Sequence, residues 1–157
     1  MDIDQARVRF AELRTREADV SPAELDEIWA ALDPVRAEEI LGLWRGDDFA
    51  TGHRLHDKLV AGRWYGKRFD SVLDAKPLIC RAEDGSLFSD TKSGNGEASL
   101  WNVEFRGEVT ATMVYDGSPI FDHFKRVDAD TLMGVMNGKP APVLDNGQHF
   151  YFLLERA

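Results

Sequence analysis

The chain has 157 residues, 43% of them apolar and 30% charged, the size and composition of one globular domain able to bury a single core. Its formal charge of −9 excludes nucleic acid as a main partner and limits contact with an anionic membrane to a transient one, because both call for a basic surface. No apolar stretch approaches a membrane span, the start MDIDQARVRF lacks a secretory leader pattern, and the single cysteine, Cys80, leaves no intrachain disulfide, so a cytoplasmic protein with a buried thiol is expected.

Residues 1–41 read as helical. Ile3, Ala6, Phe10 and Leu13 recur at helical spacing in a charged segment. Ser21-Pro22-Ala23-Glu24 supplies an N-cap, a proline at the first helical position and a capping-box glutamate. Leu25, Ile28, Trp29 and Leu32 then form one apolar face. Asp33-Pro34 repeats the device and predicts a short helix to Leu41, with Gly42 as its C′ residue.

Beyond Gly42 the pattern turns to strands. One helical interruption is predicted over 53–61, where HRLHDKLVA carries Leu55 and Leu59 one turn apart. Elsewhere PLICRAE and SLFSD flank Asp84-Gly85, and ASLWNVEF precedes Arg106-Gly107. EVTATMVY and PIFDHFKRV flank Asp116-Gly117-Ser118, TLMGVM follows Asp128-Ala129-Asp130, and QHFYFLLER closes the chain. Hairpin signals at such even spacing predict an antiparallel meander. About eight or nine strands is the number at which such a sheet closes into a small barrel. The fold class expected is therefore α+β, mainly β, with the helical segment 1–41 packed on a barrel domain of 42–157.

Two Gly-x-Trp-x-Gly pentapeptides stand twenty positions apart, Gly42-Leu43-Trp44-Arg45-Gly46 and Gly62-Arg63-Trp64-Tyr65-Gly66. The first falls where a helical region hands over to a strand. It resembles the Gly-x-Trp signature that opens the first strand of lipocalins and other calycins, which implies a calycin-like barrel; a pleckstrin-homology-like barrel is the alternative. In the calycins a cation from near the last strand lies over the indole. Arg156 shares the alternation phase of Phe150, Phe152 and Leu154, so a Trp44–Arg156 stack is expected, with Gly42, Trp44 and Arg156 in structural roles.

A closer resemblance follows from GLWRGDDFATGHRLHDKL, RWYGKRF and MVYDGSPIFDHFKRVDADTLMGVMNGK. Together these are similar to the GXWXG family of bacterial proteins, which joins that pentapeptide to a C-terminal domain of unknown function. The resemblance divides the chain into parts of about residues 33–90 and 98–157. It implies a β-rich small domain and no defined reaction.

Trp64, Tyr65, Lys67 and Arg68 gather aromatic faces and cations around a glycine. They suit a ligand mouth that grips an apolar body and a polar head; the plain alternative is a strand with aromatics inward and cations in water. Trp101, Met113 and Tyr115 join them as apolar and aromatic lining. Asp122 and His123 are the candidates for acid–base catalysis. Adjacent strand residues face opposite ways, so only one of them can line a cavity. An inward Asp122 needs a partner, Arg126 or Lys67. His53 and His56 share a helical face but lack companions for a metal set, and no cofactor motif is present.

The leading functional expectation is a binding protein for a small hydrophobic or amphipathic ligand, of the fatty acid or phospholipid class. The alternative is a small isomerase, lyase or hydrolase using Asp122 or His123 beside Tyr65 and Lys67. A third reading gives the helices of 1–32 an interaction role, with Trp29 as anchor of a partner or a homodimer.

Overall fold

The protein is described here by a computed structural model of all residues, 1–157. Its local signals are met first at the N-terminus. Asp2 accepts the Gln5 N–H, and the Gln5 side chain returns to the Asp2 N–H, a capping box for α1 (Ile3–Leu13). Ser21 caps α2 (Pro22–Ala31) through the Glu24 N–H.

The second Asp-Pro device starts no helix. Asp33–Pro34 form a short strand, β1, paired with Lys125 and Arg126. Only one 3-10 turn follows, at Ala37–Glu39. The same device opens α2, so the proline does not decide the outcome. Val35 supplies a tertiary pull, because its carbonyl accepts the Ala111 N–H at 2.7 Å and its N–H donates to Thr110 Oγ1 at 3.1 Å. Gly42 correspondingly opens a strand rather than closing a helix, at φ +122°.

The remaining elements are β2 (Gly42–Asp48), α3 (Leu55–Ala61), β3 (Trp64–Ser71), β4 (Asp74–Arg81), β5 (Leu87–Ser89) and β6 (Ala98–Phe105). After these come β7 (Glu108–Tyr115), β8 (Ile120–Asp128), β9 (Thr131–Gly138), α4 (Pro140–Val143) and β10 (Phe150–Arg156). All strand pairings are antiparallel. The order β8-β7-β6-β4-β3-β2-β10-β9 returns to β8 through the β8–β9 pairing, so eight strands form a ring. The expected meander is thus realised as an α+β fold, with β1 and β5 lying off the ring on β8 and β4. No helix is long and apolar enough to cross a membrane.

Alternation sorts the apolar residues into two cores. Phe150, Phe152 and Leu154 point into the ring with Trp44, Phe69, Met113, Phe124 and Leu132. Tyr151 and Leu153 point outward with Met133 and Val135. Against that outer face pack Phe10, Leu13, Leu25, Ile28 and Trp29 of α1 and α2. Trp29 is 1% exposed, so its ring is used within the chain and offers no anchor to a partner.

Candidate functional site

The C-terminal ends of the two pentapeptides meet where β2 pairs with β3, with Arg45 opposite Gly66 and Trp44 opposite Lys67. Their glycines are there for each other's tryptophans. A Cβ on Gly66 would stand 1.9 Å from the Trp44 carbonyl oxygen, and one on Gly46 would stand 2.1 Å from Cη2 of Trp64. The strands can approach and the second indole can fold over the first strand only because both side chains are missing.

Trp44 is buried and donates its indole N–H to the Ile40 carbonyl at 2.9 Å. The Arg156 guanidinium lies 4.3 Å from the Trp44 ring centre and donates to the Leu41 and Glu39 carbonyls. Gly42 lets it in, since a Cβ there would meet the guanidinium at 3.3 Å.

On β3 the ladder to β4 shifts register between Trp64 and Gly66 and again between Gly66 and Arg68. Strict alternation would turn Trp64 and Lys67 to opposite faces; the irregularity turns both inward. Lys67 is 3% exposed, and its Nζ lies 3.0 Å from Asp122 Oδ2 and donates to the Pro77 carbonyl at 3.3 Å. The rings of Trp64, Tyr115 and Phe152 surround the ammonium at 5.3–5.9 Å. The Trp64 indole N–H also donates to the Pro77 carbonyl, at 3.2 Å.

Asp122 is 2% exposed. Burial raises its carboxyl above the usual carboxylate range, against the pull of the Lys67 ammonium. Burial, and then the nearby Asp122, push the Tyr115 hydroxyl well above its ordinary value.

These groups line a cavity of about 650 Å³. Its walls are largely apolar, with Leu78, Ile120, Met136, Phe150 and Phe152 from the strands and Leu55 and Leu59 from α3. Cys80 is also in the wall, its thiol pushed up by burial. Lys58, Asp90, Ser93 and Ser118 add polar groups.

Of the residues singled out in the sequence, Trp64, Lys67, Tyr115 and Asp122 meet in this cavity. The other candidate ligand-binding and catalytic residues do not line it. Tyr65 faces away, with the Arg81 guanidinium 5.0 Å from its ring centre. Arg68 is half-buried and pairs with Asp70 at 3.3 Å. Trp101 is 52% exposed and donates to Ser99 Oγ at 2.8 Å. Met113 is fully buried in the interior core.

His123, on the opposite face from Asp122, bonds Thr112 Oγ1 at 2.8 Å and stacks on Phe105 at 4.0 Å. Burial, with His149 and Arg106 near, lowers it to about 4. It packs against Phe105, away from the cavity that Asp122 lines. His53 bonds the Val143 carbonyl at 3.0 Å while His56 pairs with Asp48, and no three His, Cys, Asp or Glu side chains converge on a point.

Sequence reasoning missed Phe150, Phe152, Leu78 and the α3 leucines as cavity lining. The phase of Phe150 and Phe152 with Arg156 was the available signal. Nothing local marks Leu78 or the Pro77 carbonyl.

The model of the GXWXG protein family matches residues 27–85, and that of a domain of unknown function (DUF4334) matches residues 96–156. No curated protein matches the chain. A crystal structure of a protein from Thermomonospora curvata is similar over 98% of this chain and 99% of that one, at 38% identity and a TM-score of 0.87. The interlocked pentapeptides of β2 and β3, the two matched segments and this full-length likeness agree: the chain belongs to the GXWXG family, with the DUF4334 domain as its second half.

Proposed function

We propose that the protein binds a small hydrophobic or amphipathic molecule of the lipid class in the cavity inside the strand ring. The observation that carries this is the cavity itself: about 650 Å³, with mostly apolar walls and the Lys67, Asp122 and Tyr115 groups converging within it. Ligand sites have this size and this mixture of apolar lining with few placed polar groups. One unpaired, buried thiol, Cys80, favours a cytoplasmic setting.

Native mass spectrometry of gently purified protein, with displacement of the neutral fluorophore Nile red, tests the reading. Binding and displacement are expected, both weakened by Leu59→Trp, which fills the cavity from α3. A clean apo mass with no Nile red binding overturns it.

One observation favours a second reading, acid–base catalysis. A carboxyl raised by burial, beside a lysine and a tyrosine, is the arrangement of a general base. Deuterium exchange into simple ketones in heavy water, abolished by Asp122→Asn, would establish it; no exchange above the variant's level removes it.

A further inference from the structure

We infer that the cavity selects an uncharged ligand whose polar end is a single carbonyl or hydroxyl oxygen, held by Lys67, and that a carboxylate enters only together with a proton. This rests on the binding reading above and names the ligand class for the same site.

The charged side chains of the wall cancel. Lys58 and Lys67 are offset by Asp90 and Asp122. The inner pair is the decisive one, because both partners are buried and their charged atoms are 3.0 Å apart. An anion brought to Lys67 also meets Asp122. It gives up its hydration and gains little net attraction in return. A fatty acid carboxylate is therefore a poor occupant at neutral pH, whatever the fit of its tail.

Donor counting gives the complementary half. An ammonium carries three N–H groups. One faces Asp122 and one the Pro77 carbonyl, and the third has no acceptor in the protein. Three aromatic rings flank the ammonium and limit its access to water. A neutral oxygen takes the third N–H without adding charge. A carboxylic acid can bind either protonated or with Asp122 protonated in its place. Both routes take one proton from solvent.

The test is displacement of Nile red by a matched twelve-carbon series: the alkane, the primary alcohol, the 2-ketone and the carboxylate. At about pH 8, where a free carboxylic acid is ionised, the alcohol and ketone are expected to displace at concentrations at least about tenfold below the carboxylate. Near pH 5 the carboxylate should close the gap. Calorimetry at about pH 7, where the free acid is ionised, in buffers of different ionisation heat should show uptake of about one proton per carboxylate bound. Carboxylate binding at pH 8 as tight as the alcohol's, without proton uptake, overturns the inference. If Nile red binds and the alkane displaces it as well as the alcohol and ketone do, the polar assignment fails while the binding reading stands. If Nile red and every member fail to bind, the binding reading falls and the inference with it.

Two variants sharpen this. Asp122→Asn leaves Lys67 uncompensated and should invert the preference towards the carboxylate. Lys67→Met combined with Asp122→Leu removes the pair without leaving a buried charge and should make alkane, alcohol and ketone equivalent. A preference for the alcohol or ketone that survives in the double variant overturns the role given to Lys67.

Discussion

The Trp64 ring occupies the space that a side chain on Gly46 would need: a Cβ there would lie 2.1 Å from Cη2 and 2.6 Å from two more ring atoms. The pentapeptide of β2 is thus a receptor for the tryptophan of β3. Gly46→Ala is expected to destabilise by about 1–3 kcal/mol, the cost of overpacking a well-filled site. Adding Trp64→Leu should recover part of that loss, because the smaller side chain vacates the clash. Urea unfolding of the three variants measures it; equal loss in the single and double variants would mean that strain lies elsewhere.

Trp44 and Arg156 should behave as a structural unit. Trp44→Ala is expected to cost about 3–5 kcal/mol, as for other fully buried large aromatics. Arg156→Gln should cost about 1–2 kcal/mol, through loss of the stack on the indole and of the bonds to the Leu41 and Glu39 carbonyls. In a double-mutant cycle the two losses should be less than additive, read by denaturant unfolding.

The Lys67–Asp122 pair is expected to be costly to break and cheap to replace. Lys67→Met or Asp122→Leu alone leaves one buried charge and should lose about 3–5 kcal/mol, whereas the double replacement should fall near wild-type stability or above it. Thermal unfolding of the set separates these cases. Similar losses in all three variants would show that the pair supplies net stability.

His123 gives the fold a defined acid sensitivity. Its ring is held neutral to about pH 4, against an ordinary value of 6.5. Between those values the unfolded chain takes up a proton that the folded chain refuses, so stability falls as pH falls from 6.5 towards 4. His53, also lowered by burial, acts in the same direction. Asp122 acts oppositely, since a raised carboxyl favours the folded state at low pH. Melting temperatures across this range should decline on acidification, and the decline should be shallower in His123→Gln.

Much of the architecture is written locally. The caps at Asp2 and Ser21, the turn at Arg106-Gly107 and the alternation of QHFYFLLER act within a few residues, and each is realised. Alternation also dictates that Asp122 and His123 face opposite ways, and the phase of Arg156 brings it to Trp44. The Asp33-Pro34 signal was overridden by tertiary contacts, since Val35 uses both its N–H and its carbonyl to bond β7.

The site itself was only half legible. A period of two fixes which residues share a face, while the choice of inner face belongs to the closed sheet. On β3 even the phase was hidden, because the irregular register against β4 carries Trp64 and Lys67 to one side and leaves Tyr65 and Arg68 on the other. The sequence alone determined the strands, the caps and the family-defining glycines, all of which depend on neighbours along the chain. Tertiary structure decided the partner of Asp122, the cavity and its neutral charge balance. These depend on β3 and β8 meeting across the interior of a ring, and long-range closure sets that distance.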